Sequence, residues 1–242
     1  MRLTLVFLGL LLYVPQSQAV IQNSSTPFNH QYTDVLIDVA GLSAGALFQT
    51  VLLNPDHPFI SSDVKTYRDE SIPCWVIPLV HLGYAATPFA VDKNDALRNF
   101  RGFMTAFSVN FGIYSAVSST VGRKRPNYDD AIAHGYEGQR RSFYSGHTSM
   151  SFCSATYMSL YWLDHVKQPA LKYSLPIAFY GWAGYVGYTR YNEHWHHLSD
   201  IVTGACVSTA ITYLVYRLYK TPSTDSAIAP APGGIRASWS FQ

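Results

Sequence analysis

The chain has 242 residues, of which 48% are hydrophobic and only 13% charged, against roughly 25% charged in ordinary soluble domains. Its 17 basic residues nearly cancel 15 acidic ones, for a net charge of +2, which excludes the electrostatic footprint of a nucleic-acid binder and, with so much apolar content, disorder over most of the chain. Only 3 cysteines in this length exclude a disulfide scaffold, so a helical membrane protein or an unusually apolar globular enzyme remains.

In chain order, Met1-Arg2 precedes the apolar run Leu3 to Val14, and Pro15, Ser17 and Ala19 follow. A positive start, a short apolar core and small residues predict a signal peptide over 1–19, cleaved after Ala19. The competing reading is a retained N-terminal anchor, although the apolar core falls short of the ~20 residues a bilayer requires. Residues 20–32 form a lead segment carrying the sequon Asn23-Ser24-Ser25. Six apolar stretches follow, at roughly 33–54, 72–91, 97–121, 148–163, 174–190 and 198–219. All exceed the usual strand length of about 3–10 residues, so the pattern predicts an all-α fold, a six-helix bundle with essentially no sheet.

Small residues in the first stretch, Gly41-Leu42-Ser43-Ala44-Gly45-Ala46, suit close helix packing. Asp34 and Asp38 lie in the same stretch, and a carboxylate is costly in lipid. That helix is therefore interfacial or buried against its neighbours. The last stretch, Leu198 to Tyr219, is the best candidate to span a membrane. Cys74, Cys153 and Cys206 sit in separate apolar runs without metal or redox spacing and read as small buried hydrophobes. Pro and Gly after Thr221 predict a flexible tail over 221–242.

Basic residues fall in three inter-helix regions: Lys93, Arg98 and Arg101; Lys167 and Lys172; Arg217 and Lys220. If these face the cytoplasm, segments 122–147 and 190–197 face the other side. A cleaved leader would put the new N-terminus outside, in conflict with this orientation if the first helix spans.

Polar chemistry gathers on that other side, in three segments. Gly122-Arg123-Lys124-Arg125-Pro126 closes the third stretch; alone it is equally a topogenic charge cluster. Ser142-Phe143-Tyr144-Ser145-Gly146-His147-Thr148-Ser149 opens the fourth. Its Ser-Gly start offers backbone N–H groups to an anion, with His147 in the first turn, unless that histidine is incidental. Gly187-Tyr188-Thr189-Arg190 leads to His194, His196, His197 and Asp200. His196 and Asp200, four apart, would share a helical face. The carboxylate would then fix the imidazole tautomer, and Arg190 suits an oxyanion. A zinc reading of His194, His196, His197 and Asp200 does not match the helical His-x3-His pair.

These segments resemble the type 2 phosphatidic acid phosphatase (PAP2) superfamily, which also holds bacterial acid phosphatases and vanadium haloperoxidases. The family pattern is K-x6-R-P, P-S-G-H and S-R-x5-H-x3-D. Here it reads Ser118 and Arg125-Pro126; Tyr144-Ser145-Gly146-His147; and Thr189-Arg190, His196 and Asp200. The similarity covers roughly 33–220, the expected catalytic helical domain, and looks most like bacterial envelope members. Ser118 stands in place of the lysine, Tyr144 in place of Pro and Thr189 in place of Ser. Lys124 and Arg123 are the nearby cations that could replace the missing lysine, and neither is at the family's spacing.

The resemblance implies a metal-independent phosphatase with no cofactor. His196 would attack phosphorus to give a phosphohistidine, Asp200 would orient His196, and His147 would serve as acid and then base. Arg125, Arg190 and the Ser145 and Gly146 N–H groups would hold the phosphate. The apolar bundle favours a phosphomonoester or pyrophosphate on a lipid, such as phosphatidic acid, polyprenyl pyrophosphate or a lipid A type molecule. The site would face the extracytoplasmic (periplasmic) side of a cell-envelope membrane. Rival readings are a soluble periplasmic acid phosphatase, a vanadium haloperoxidase, or a non-catalytic membrane protein that binds phosphate or lipid.

Overall fold

A computed structural model describes residues 33–50, 64–73, 76–134, 140–220, 226–231 and 234–239. The expected leader at 1–19, the sequon at Asn23 and Cys74 lie outside the described residues. Seven helices are present among those described: α1 (Thr33–Thr50), α2 (Val76–Val91), α3 (Ala96–Val121), α4 (Tyr128–Ala133), α5 (Gly146–His165), α6 (Pro169–Asn192) and α7 (Leu198–Tyr219). Six coincide with the apolar stretches. The seventh, α4, is a single polar turn and a half inside the loop between α3 and α5, too short to leave an apolar period in the sequence.

Of the tail expected at 221–242, two short strands are described. Strands β1 (Ser226–Ala231) and β2 (Gly234–Trp239) pair antiparallel, with Ala231 opposite Gly234 and Ser226 opposite Trp239. Pro230 falls within β1; a two-stranded ribbon has free edges, where a residue without an N–H is tolerated.

Helix α5 is the centre of the bundle and packs on α2, α3, α6 and α7. It buries residues on every face, including Ser149, Ser151, Ser154, Thr156 and Ser159. The main apolar core joins Phe103, Met104 and Ala106 of α3 to Cys153, Tyr157, Met158 and Tyr161 of α5 and to Val215 and Tyr216 of α7. Cys153 is buried there as a small hydrophobe, whereas Cys206 is exposed. Burying side chains of this size contributes about 1.5–3 kcal/mol each.

Helices α1 and α3 pack at close range. A Cβ on Gly41 would stand 2.7 Å from the Ser108 carbonyl oxygen, and one on Gly45 would overlap the Phe111 ring. The same packing shelters the two carboxylates of α1: Asp34 and Asp38 are both buried, and Asp34 is ion-paired with Arg101.

Helices α3 and α6 run toward one end of the bundle, and α5 and α7 start from it. The three polar segments of the sequence are therefore the ends of four helices at a single mouth. At the opposite end the chain collects Asp95 with Arg98, and Asp164 with Lys220. Helix α7 is long and apolar enough to cross a membrane, by length and composition. Its residues Leu198, Val202, Leu214 and Leu218 are exposed.

Candidate active site at the mouth of the bundle

Gly122 ends α3 in the left-handed region, at φ 63°, a conformation that disfavours any residue with a Cβ. The chain then turns so that Arg123, Lys124 and Arg125 lie across the mouth. Arg123 donates from Nη1 to Asp200 Oδ1 at 2.5 Å and to Ser199 Oγ at 2.8 Å. It is a structural cation, and nothing in its position along the sequence signals a partnership with Asp200. Lys124 sits 3.8 Å from Asp129 and over the Tyr128 ring. Arg125 lies over the Trp195 ring, 5.0 Å from its centroid, and its Nε is buried with no hydrogen-bond partner.

Ser145 is the N-cap of α5, and its Oγ accepts from the Thr148 N–H. The expectation that the Ser145 N–H holds phosphate is corrected: that N–H donates to the Asp200 carbonyl at 3.1 Å. Gly146, first residue of the helix, has an N–H with no acceptor inside the helix by its position. Glycine is required there for a different reason, since a Cβ would overlap the Tyr114 ring. His147 follows in the first turn.

Arg190 closes α6 and is 1% exposed. Its Nη1 donates to Glu70 Oε1 at 3.1 Å, and Nη2 lies 2.9 Å from Glu193 Oε2. Its Nε is buried without a partner. The Thr189 hydroxyl donates to the Val186 carbonyl of the same helix. The Arg190 carbonyl accepts from the N–H groups of both Trp195 and His196, which turns the chain back toward the mouth. His194, at φ 61°, donates from Nδ1 to the Thr66 carbonyl, and His197 from Nε2 to the Lys124 carbonyl.

The relation of His196 to Asp200 differs from the expected shared helical face. Helix α7 begins only at Leu198, with His197 as N-cap, so His196 is in the preceding loop. Its Nδ1 donates to the Ser142 carbonyl at 2.8 Å, and Asp200 Oδ2 stands 3.9 Å away. Asp200 accepts instead from Arg123, from the Ser142 hydroxyl at 2.5 Å and from the His197 N–H at 3.0 Å. Ser142 thus connects the two: its hydroxyl holds the acid and its carbonyl holds the imidazole. A carbonyl can only accept, so Nδ1 carries the proton and Nε2 keeps its lone pair.

Burial, then the Arg125 charge and the coupling to the neighbouring His147, hold the His196 pKa well below that of a free imidazole. His147 is pushed down to about 3 by burial and by Arg190 and Arg125. These mutual influences bring His147, His196, Arg125 and Arg190 into one electrostatic neighbourhood. Both imidazoles are thereby biased toward the neutral form, within the field of two guanidinium groups. Ser118 is buried on α3, its hydroxyl donating to the Ser115 carbonyl at 3.2 Å, and presents no charge. Among the described residues, no three His, Cys, Asp or Glu side chains are grouped to hold a metal ion.

A family model described as the PAP2 superfamily matches residues 101–223, which include every site residue named from Ser118 to Asp200. Similar curated proteins include a PA-phosphatase related-family protein of Dictyostelium discoideum, 33% identical over 100 residues, covering 37% of each chain. Lipid phosphate phosphatase 2 of Arabidopsis thaliana is 26% identical over 148 residues, covering 46% of this chain and 49% of its own. The chain spans less than half the length of these relatives. A solved transmembrane PAP2 type phosphatidylglycerolphosphate phosphatase from Bacillus subtilis aligns with a TM-score of 0.46 at 17% identity, over 76% of this chain and 94% of that one. With the matched region covering half of its length and all three motifs, the chain belongs to the PAP2 superfamily.

Proposed function

We propose that the chain is a phosphatase acting on a lipid phosphate through a phosphohistidine on His196. The observation that carries this reading is the 2.8 Å bond from His196 Nδ1 to the Ser142 carbonyl. It leaves Nε2 as a neutral nucleophile beside two arginines with unpartnered nitrogens. Phosphoryl transfer needs mainly positioning and charge stabilisation, and preorganised guanidinium groups offer both.

In this reading the phosphate enters between Arg125 and Arg190. Nε2 of His196 attacks phosphorus as the bond to the leaving oxygen breaks, and that oxygen takes the proton of His147. The same imidazole then removes a proton from water, whose oxygen displaces His196 and releases inorganic phosphate. His147 must be protonated for the first step. Burial first, and then the arginine charges, hold its pKa down; the bound dianion offsets the arginine contribution and so raises its proton affinity.

Membrane attachment is supported by α7 and its exposed apolar face. The basic residues Arg98, Arg101 and Lys220 gather at the end away from the site, which by the charge rule supports a mouth on the extracytoplasmic side. A lipid headgroup at the interface would meet the mouth directly.

The test uses the full chain in detergent with 32P-labelled phosphatidic acid. Wild type is expected to release phosphate and to trap label on protein after an alkaline quench. His196→Ala should lose both, with turnover down by at least about 10³-fold. A variant that keeps full turnover would remove the nucleophile.

A further inference from the structure

Position 118 of α3 is a serine, seven residues before Arg125, and it is fully buried without bringing charge to the mouth. The two cations nearest in sequence are engaged elsewhere, Arg123 on Asp200 and Ser199, and Lys124 with Asp129 and Tyr128.

A different residue is wired to this part of α3. Ser118 donates to the Ser115 carbonyl, and the Ser115 hydroxyl accepts from Gln49 Nε2 at 3.2 Å. Gln49, on α1, accepts at Oε1 from Arg141 Nη1 at 2.6 Å. The other terminal nitrogen of Arg141, Nη2, is buried and has no hydrogen-bond partner. A buried guanidinium N–H without an acceptor is costly, and the same condition recurs at Arg125 Nε and Arg190 Nε. The three groups are electrostatic neighbours: Arg125 feels both Arg141 and Arg190 as like charges. Arg141 also directly precedes Ser142, the residue that holds His196 and Asp200.

We propose that Arg141 is a third phosphate-binding cation of the site, aimed by Gln49, supplying from the loop before α5 the charge that Ser118 does not carry on α3. This rests on the phosphatase reading for its substrate, but the binding claim needs only an oxyanion. Its Nη2 takes a nonbridging oxygen, while Nη1 stays on Gln49. A guanidinium offers this split because its donors are fixed in one plane, whereas an ammonium at the same place would not be held in that orientation.

The experiment measures orthovanadate affinity by titration calorimetry, and kcat and KM in parallel, on the full chain in detergent. Arg141→Ala is expected to weaken vanadate binding by about 10–100-fold, and Arg141→Lys by less. Adding Ser118→Lys to Arg141→Ala is expected to recover affinity to within about tenfold of wild type. Gln49→Ala should weaken binding by an intermediate factor, and it reads the same claim if circular dichroism shows that Arg141→Ala has lost its helices. The proposal is overturned if Arg141→Ala, or in its place Gln49→Ala and Arg141→Lys, binds vanadate like wild type. It is equally overturned if Ser118→Lys restores nothing. Wild type that binds vanadate without hydrolysing lipid phosphate would sink the phosphatase reading and leave Arg141 judged by affinity alone. Hydrolysis by wild type with an unaltered Arg141→Ala would sink only Arg141. Wild type that binds no vanadate would sink both.

Discussion

Asp200 has no exposed surface, and its side chain accepts from a guanidinium, a hydroxyl and a backbone N–H at once. The ion pair with Arg123 is nearly buried on both sides. Removing one partner of such a pair leaves the other charge stranded, a loss of about 3–5 kcal/mol. Asp200→Asn should therefore lower the melting temperature in detergent as well as the turnover. Activity loss with an unchanged melt would mean that Arg123 finds another acceptor. Protonation offers a second check at this scale. The His196 pKa is lowered, so the proton binds less readily in the folded chain than in the unfolded one, and the neutral ring persists as the pH falls below the usual 6.5. Imidazole 15N spectra should show an unprotonated Nε2 and a protonated Nδ1 at pH 6. A doubly protonated ring at that pH would contradict the bond to the Ser142 carbonyl. The linked stability has the same sign: it is present above pH 6.5 and declines on acidification, as buried neutral imidazoles are forced to charge.

At the scale of elements, the close approach of α1 to α3 makes a sharp prediction. Gly41→Ala would push a Cβ against the backbone carbonyl of Ser108, which cannot rotate away. Overpacking of this kind costs about 1–3 kcal/mol. Gly83, on α2, has nothing within 4 Å of where an added methyl would sit, so Gly83→Ala should be neutral or stabilising by up to about 1 kcal/mol. Comparing the two melts separates packing from helix propensity; equal shifts would deny the tight α1–α3 seam. The long helices were legible because apolar residues persist well past strand length, and the Gly-Ala-Ser run marked the seam. Helix α4 and the β1–β2 ribbon were not. A six-residue helix of Tyr128-Asp129-Asp130-Ala131-Ile132-Ala133 shows no period. Pro230 and Gly234 read as breakers, although both lie within the paired strands.

For the molecule as a whole, the segment from Val64 to Pro73 ties the mouth together. Lys65 donates to the Pro126 carbonyl, Tyr67 to Asp130, Arg68 to the Asn192 carbonyl and Ser71 to Glu193. Through Glu70 the same strap sets a carboxylate on Arg190. That negative charge competes with an incoming phosphate, so Glu70→Gln should lower KM by about 2–10-fold, most visibly at low salt, with kcat little changed. A raised KM would mean that Glu70 chiefly holds Arg190 in place. None of this strap was legible, because it works through backbone groups and isolated side chains far along the chain from their partners. The three motifs were legible from their residue types and spacing. What spacing alone could not reveal was that Ser142 links the two, its main-chain carbonyl on His196 and its hydroxyl on Asp200, since a backbone acceptor leaves no mark in a sequence.

The carboxylate and carbonyl of Asp200 reach three different stretches of chain: the turn after α3, the loop before α5 and the start of α7. Such a node should make the mouth open and close as one cooperative unit. In hydrogen–deuterium exchange, the amides of Ser142, Ser145, Trp195, His196 and His197 should then lose protection together, at a common rate, while the Tyr157–Tyr216 core beneath remains closed.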